Sequence, residues 1–178
     1  MNTLPTQGRA QRELLISFID LSTFTVDAKR VDDEVRLGEL IDQFYERVGE
    51  HVARGGGTLV KFIGDAALIV FAPESADAAL GALSALKAEV DDWCTQLGWD
   101  SRLVVKAHVG SVVAGEFGSK GSKHFDVIGN VVNATARLQT RSFAITPQVF
   151  RLLSSDARKR FKKHTPPVVY IPESDRRP

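Results

Sequence analysis

The sequence predicts an α+β fold in which helices pack on one face of a mostly antiparallel sheet. Two apolar segments separated only by Gly64 and Asp65 predict a tight β-hairpin. Two longer segments carry apolar residues every three or four positions, which is the period of an amphipathic helix. The resulting order of strand, helix, hairpin, helix and strand is typical of helices layered on an antiparallel sheet.

The composition is that of one globular domain. The chain has 178 residues, of which 43% are hydrophobic and 25% are charged, and its formal net charge is +1. This small charge does not favour binding to nucleic acid or to a membrane surface. No apolar segment approaches the roughly 18 residues of a membrane span, and the first residues do not resemble a signal peptide. We therefore expect a cytoplasmic protein.

The predicted domain runs from residue 14 to residue 172, between a flexible tail over residues 1 to 13 and a frayed tail over residues 173 to 178. Its first element is a buried strand at Leu14–Ile19, which ends at Asp20. Apolar periodicity then predicts a helix over residues 36 to 53, which three consecutive glycines terminate.

The rest of the chain is predicted to form further strands and helices. The predicted elements are hairpin strands at residues 58–63 and 66–72, a helix at 75–97, a strand at 103–114, a loop at 115–123, a strand at 124–128 and a helix at 130–139. A short strand near Ala144, a helix after Pro147 and a strand at residues 168–170 complete the order.

Two carboxylates are predicted to meet at one edge of the sheet. Asp20 follows the first strand and Asp65 lies at the hairpin tip, so pairing of these strands would bring them together. Hard oxygen donors of this kind suit Mg²⁺. Taken singly, an aspartate at either position more often accepts hydrogen bonds from nearby backbone amides.

Asn133 and Arg137 lie four residues apart on one predicted helix and therefore point in the same direction. Spacing alone favours a solvated helix face over a binding site.

Four segments resemble the signature sequences of class III nucleotide cyclases, in the same order. They are residues 18–25 (FIDLSTFT), 61–71 (KFIGDAALIVF), 105–118 (VKAHVGSVVAGEFG) and 125–137 (FDVIGNVVNATAR). The resemblance covers roughly residues 14 to 150. It implies a ferredoxin-like (palm-type) core and a head-to-tail homodimer whose active sites are shared between two subunits.

The resemblance also implies residue roles. Asp20 and Asp65 match the residues that hold two Mg²⁺ or Mn²⁺ ions in each active site. Asn133 matches the asparagine that orients the ribose, and Arg137 matches the arginine that stabilises charge on the α-phosphate. A guanidinium suits that role because it stays charged and can donate two hydrogen bonds to phosphate oxygens.

Lys61 and Asp126 match the positions that read the base in adenylyl cyclases. A lysine donor beside a carboxylate acceptor is complementary to the N1 atom and the exocyclic amine of adenine. The guanylyl branch typically carries glutamate and a small or thiol residue there. Phe24 and Thr25 match the turn that binds the β- and γ-phosphates.

The chain departs from the family pattern at three places. Thr23 stands where the family usually has a glycine before this phosphate-binding turn. The Leu-Lys-Gly hairpin that supplies a lysine to the triphosphate is not recognisable, which leaves Lys162 or Lys163 as replacements. The segment from Gln139 to Thr146 is shorter than in the family.

The resemblance implies an enzyme that converts ATP to cyclic AMP and pyrophosphate. One alternative is a catalytically silent cyclase-like regulatory domain, which Thr23 and the missing hairpin favour. Another is an active cyclase that uses GTP or a pyrimidine nucleotide. A polymerase-like palm shares paired aspartates but requires a basic surface for nucleic acid, which the net charge does not indicate.

Overall fold

The computed structural model describes residues 8–165 and 168–175. Its strands are β1 (Arg9–Leu21), β2 (Thr58–Ile63), β3 (Ala66–Phe71), β4 (Leu103–Ser119), β5 (Ser122–Ile128), β6 (Phe143–Ile145), β7 (Phe161–His164) and β8 (Val169–Pro172). They form one sheet in the order β2-β3-β1-β4-β6-β8-β7, with β5 paired to the second half of β4. Among the described strands, β4 and β6 are parallel and the remaining pairs are antiparallel. The α+β prediction is confirmed.

The helices are α1 (Phe24–Ala28), α2 (Glu34–Arg54), α3 (Ala76–Gln96), α4 (Asn130–Ala136), α5 (Pro147–Leu152) and α6 (Ser155–Arg158). The two long helices match the predicted ones to within two residues. The Asp33 side chain caps α2 by accepting a hydrogen bond from the Val35 amide, and Gly55 ends the helix. In the described residues no helix is both long and apolar enough to cross a bilayer.

The sheet is covered on both faces, whereas the sequence predicted helices on one. The larger core joins α2 and α3 to one face and includes Leu15, Phe44 and Leu83. A smaller core on the opposite face includes Ile16 and packs against α4. Consecutive residues of β1 are therefore buried, because a strand points successive side chains to opposite faces.

The predicted boundary between the tail and the domain at residue 14 is wrong. Strand β1 begins at Arg9, and residues 9 to 13 pair with β4 in register from Gly115 to Ser111. Backbone pairing needs no apolar side chains, so these polar residues carried no strand signal. Residues 1 to 7 lie outside the described residues.

The predicted C-terminal tail also begins too early. The Glu173 amide donates to the Arg160 carbonyl at 2.9 Å, and the Asp175 amide donates to the Pro172 carbonyl at 3.1 Å. Residues 173 to 175 are therefore held against β7 and β8. Residues 176 to 178 lie outside the described part of the chain.

The predicted loop at residues 115–123 is instead a hairpin between β4 and β5, which turns at Lys120 and Gly121. Its glycines permit close strand approach: a Cβ on Gly118, where φ is 139°, would lie 2.2 Å from the Ser122 carbonyl oxygen. The Gly, Ser and Lys composition concealed this pairing. Strand β7 was not predicted, and α4 ends three residues before the predicted end at residue 139.

Asp27 ties the short helix α1 to the segment before β4. Its carboxylate is fully buried and accepts hydrogen bonds from the Ser101 amide at 2.8 Å and the Ser101 hydroxyl at 2.6 Å. Arg30 donates to it at 3.0 Å. Burial acts to raise the pKa of Asp27, but the hydrogen bonds from Ser101, together with Arg30, outweigh it and lower the pKa.

Replacing Asp27 with alanine should lower the free energy of unfolding by about 3 kcal/mol, because buried donors lose their acceptor. Denaturant unfolding measures this change, with the exposed Asp32→Ala variant as control. Since the folded pKa is lowered, the contribution is fully present above the unfolded pKa of about 3.9 and disappears as pH falls through the folded value. A difference between wild type and variant that does not shrink as pH falls through this range would contradict this account.

Candidate active site

The register between β1 and β3 brings the two predicted metal ligands together. Asp20 lies opposite Ala66, the residue that follows Asp65, and the Leu21 amide donates to the Asp65 carbonyl at 3.3 Å. The pKa of Asp65 is raised, first by burial and then by the negative charge of Asp20. Two carboxylates thus repel each other at one end of the strand pair.

This arrangement fits a divalent cation. Carboxylate oxygens are the donors that Mg²⁺ and Mn²⁺ prefer, and a cation would relieve the repulsion between Asp20 and Asp65. Among the described residues no group of three or more His, Cys, Asp or Glu side chains converges on one point. Asp20 and Asp65 would supply two carboxylates, and Mg²⁺ usually takes its remaining ligands from water and substrate.

Tyr45 of α2 holds the hairpin tip in place, a role that the sequence did not reveal. Its hydroxyl donates to the Gly64 carbonyl at 2.8 Å, and its ring stacks on Phe62 with centroids 3.6 Å apart. Burial and the charge of Asp65 raise the pKa of this phenol, so it stays a hydrogen-bond donor. In the sequence Tyr45 was indistinguishable from the other members of the apolar helix stripe.

Lys106 of β4 was also missed. Its Nζ atom lies 3.5 Å from Asp20 Oδ1 and donates to the Ala136 carbonyl at the end of α4, at 3.3 Å. Only the register of β1 with β4 places this lysine beside Asp20. A charged residue within the mainly apolar first residues of this strand was the one available signal.

Lys61 and Asp126 form an ion pair although they are 65 residues apart in sequence. Lys61 Nζ of β2 lies 2.6 Å from Asp126 Oδ2 of β5, with 45% and 25% of the side chains exposed. The other carboxylate oxygen of Asp126 accepts from the Val127 amide at 2.8 Å. Each partner keeps exposed surface, so a donor and an acceptor lie side by side and face solvent.

The predicted phosphate-binding turn follows β1 directly. Phe24 and Thr25 form the first turn of α1, where backbone amides have no acceptor within the helix. Thr23 adopts a left-handed conformation with φ of 60°, which costs a residue with a side chain roughly 1–2 kcal/mol relative to glycine. The backbone therefore takes a conformation that glycine adopts readily, and the threonine bears strain there.

Asn133 and Arg137 are exposed at the end of α4, and the Arg137 amide donates to the Asn133 carbonyl at 3.2 Å. Arg137 follows the last helical residue rather than lying within the helix. In the described residues no hydrogen bond or ion pair joins either side chain to Asp20 or Asp65.

The two candidate lysines near the C-terminus differ. Lys162 Nζ donates to the carbonyls of Glu173 and Asp175, at 2.7 Å each, so it holds the C-terminal segment. Lys163 is exposed on the next position of β7. Of the two, Lys163 is the better candidate for an anionic ligand, because its ammonium group need not break two existing hydrogen bonds first.

Residues 7–168 match the family described as the adenylate and guanylate cyclase catalytic domain. The chain is 33% identical over 165 residues to adenylate cyclase 2 of Rhizobium meliloti, which covers 89% of this chain and 44% of the relative. It is 32% identical over 127 residues to an adenylate cyclase of Streptomyces coelicolor, covering 71% of this chain and 29% of the relative. The chain thus spans less than half the length of these relatives.

Solved cyclase structures share the fold. The adenylyl cyclase CyaB from P. aeruginosa superposes with a TM-score of 0.81 at 19% identity, covering 96% of this chain and 98% of the other. The guanylyl cyclase Cya2 superposes with a TM-score of 0.76 at 21% identity, covering 92% of each chain. The family match over most of the sequence and these superpositions confirm the resemblance seen in the four segments. The chain belongs to the adenylate and guanylate cyclase catalytic domain family.

Proposed function

We propose that this domain is an adenylyl cyclase, which converts ATP to cyclic AMP and pyrophosphate at sites shared between two copies of the chain. The observation that carries the proposal is the Lys61–Asp126 pair, which offers a hydrogen-bond donor beside an acceptor. Adenine presents the complementary edge, with an acceptor at N1 and a donor at the exocyclic amine. Guanine presents the reverse pattern. The two curated relatives named above are also adenylate cyclases.

Asp20 and Asp65 would hold two Mg²⁺ or Mn²⁺ ions. Bound there, such ions would lower the pKa of the ribose 3′-hydroxyl and neutralise charge on the triphosphate. The contribution of the chain is to hold both carboxylates at one edge through the β1–β3 register and the Tyr45 hydrogen bond. The amides of Phe24 and Thr25 would bind phosphate oxygens, since the first amides of a helix have no acceptor within that helix.

The remaining residues support a homodimer. Asn133 and Arg137 are exposed, and within the described residues neither side chain forms a hydrogen bond or ion pair with Asp20 or Asp65 of its own chain. A second copy in head-to-tail orientation would supply them to Asp20 and Asp65, where Asn133 would orient the ribose and Arg137 would stabilise the α-phosphate. Lys61 and Asp126 would come from that second copy as well.

The direct test is turnover of purified protein with Mn²⁺ and each of ATP, GTP, CTP and UTP, with the cyclic product identified by mass spectrometry. We expect cyclic AMP from ATP with the highest catalytic efficiency. A folded dimer that binds ATP and forms no cyclic product would contradict the proposal and support a silent regulatory domain, the reading that the strained Thr23 favours.

The base preference should depend on both members of the ion pair. Once a bound base covers this pair, losing a hydrogen-bond partner costs about 1–3 kcal/mol, or roughly tenfold to a hundredfold in discrimination. The Lys61→Glu, Asp126→Ser double variant should therefore lose ATP efficiency and gain relative GTP efficiency, with metal dependence unchanged. The ratio of kcat/KM values measures this shift, and Lys123→Glu, an exposed position on β5, is the control. An unchanged ATP preference would mean that other residues read the base.

A further inference from the structure

Lys106 is a charged residue within the largely buried first half of β4. Its neighbours Val105 and Ala107 are fully buried in the core beneath α3, while Lys106 points to the opposite face. Lys106 lies opposite Phe18 and Asp20 lies opposite Val104, so the lysine and the aspartate are diagonal neighbours on one face of the sheet. This placement follows from the strand register alone.

The ammonium group has two partners in the structure. Nζ lies 3.5 Å from Asp20 Oδ1 and donates to the Ala136 carbonyl at 3.3 Å. The lysine side chain is 17% exposed and the aspartate side chain is 39% exposed, so water screens this ion pair incompletely. The protein without metal therefore already carries one positive charge beside a metal-binding carboxylate.

We propose that Lys106 competes with the divalent ion for Asp20 and thereby sets the metal concentration that the domain requires. The inference rests on the proposed function, because it takes Asp20 as a metal ligand. A metal ion that binds Asp20 must displace or share the ammonium group, and the two positive charges repel each other.

The hydrogen bond to the Ala136 carbonyl can hold the Lys106 ammonium group after a metal ion binds Asp20. Ala136 is the last residue of α4, and carbonyls in the last turn of a helix lack intrahelical donors and carry partial negative charge. The flexible four-carbon stem of lysine can keep this hydrogen bond while Nζ moves away from Asp20. Metal binding would thus exchange one partner of Lys106 and retain the other.

Binding of Mn²⁺ alone, followed by the electron paramagnetic resonance signal of the free ion, tests the proposal without turnover. Lys106→Met removes the charge, and Lys106→Gln removes the charge but can still donate to the Ala136 carbonyl. We expect both variants to bind Mn²⁺ about tenfold more tightly than wild type, a change within the range that Coulomb's law gives for nearby charges at a protein surface. Lys106→Arg should bind like wild type.

The controls separate this inference from the metal site itself. Lys120→Met removes one positive charge from the exposed β4–β5 turn and should leave Mn²⁺ affinity unchanged. The combined Asp20→Asn, Lys106→Met variant should bind Mn²⁺ more weakly than Lys106→Met alone, because it lacks the Asp20 carboxylate. If that combined variant binds as tightly as Lys106→Met, Asp20 is not a ligand and the proposed metal site fails.

Thermal melting identifies which variants are folded. Unchanged or weaker Mn²⁺ binding in folded Lys106→Gln overturns the competition, even if Lys106→Met does not fold. Loss of Mn²⁺ binding in both neutral variants also overturns it, because it would mean that the lysine holds Asp20 in place for the metal.

Discussion

Replacing Asp65 with asparagine is expected to reduce cyclic AMP formation by about a thousandfold or more, because the metal ions proposed to bind there would supply several kcal/mol of transition-state stabilisation. The stability of the fold should not decrease. The pKa of Asp65 is raised by burial and by Asp20, so folding disfavours its charged form at neutral pH. The melting temperature should therefore stay equal or rise when asparagine removes the charge.

This opposite response of activity and stability distinguishes a functional residue from a structural one. Steady-state turnover with Mn²⁺ and ATP gives the first quantity, and thermal melting without metal gives the second. Asp92→Asn, an exposed carboxylate on α3, is the matched control and should change neither. Turnover near the wild-type rate in Asp65→Asn would exclude the assignment of both ions to this carboxylate pair.

Mixing two inactive variants is expected to restore activity. Asp20→Asn damages the metal side of each site, and Arg137→Ala damages the side that the second copy would supply. In a heterodimer of the two, one site receives intact Asp20 from one chain and intact Arg137 from the other, while the second site carries both defects. Random exchange should therefore recover about a quarter of wild-type activity, since about half of the dimers are mixed and each has one intact site.

A second mixture is the control. Asp20→Asn with Asp65→Asn places both defects on the metal side, so neither site of a heterodimer is complete and no recovery is expected. Copurification of differently tagged chains establishes that exchange occurred. Exchange without recovery in the first mixture would mean that each site lies within one chain.

Local patterns predicted most elements because each depends on neighbouring residues. The β2–β3 hairpin was predicted with one residue of difference, since two apolar strands flank a two-residue tip whose Gly64 adopts φ of 60°. The long helices followed from the period of their apolar residues. Patterns of this kind failed for residues 9–13, whose pairing partners are distant in sequence, and for the β4–β5 hairpin, whose Gly, Ser and Lys residues are typical of a loop.

Some residues of the candidate site were identified from the sequence, and others only from the structure. The family resemblance identified Asp20, Asp65, Lys61 and Asp126. The structure adds that Asp20 is adjacent to Asp65 and that Lys61 is adjacent to Asp126. Lys162 was also identified as a candidate, and the structure adds that its ammonium group donates to the carbonyls of Glu173 and Asp175. Tyr45 and Lys106 were missed because their sequence contexts, a helix stripe and an apolar strand, carry no sign of a distant partner.

The sequence by itself determined the order of the elements, the apolar faces of α2 and α3, and the family to which the chain belongs, because these depend on residue type and short spacing. The tertiary structure alone decided that Tyr45 and Lys106 contact the candidate site. The register of β1 with β3 and β4 places Asp20 beside Asp65 and Lys106, and a shift of one residue would turn those side chains to the opposite face. Register is set by the summed packing of both sheet faces, and no local pattern in the sequence encodes that sum.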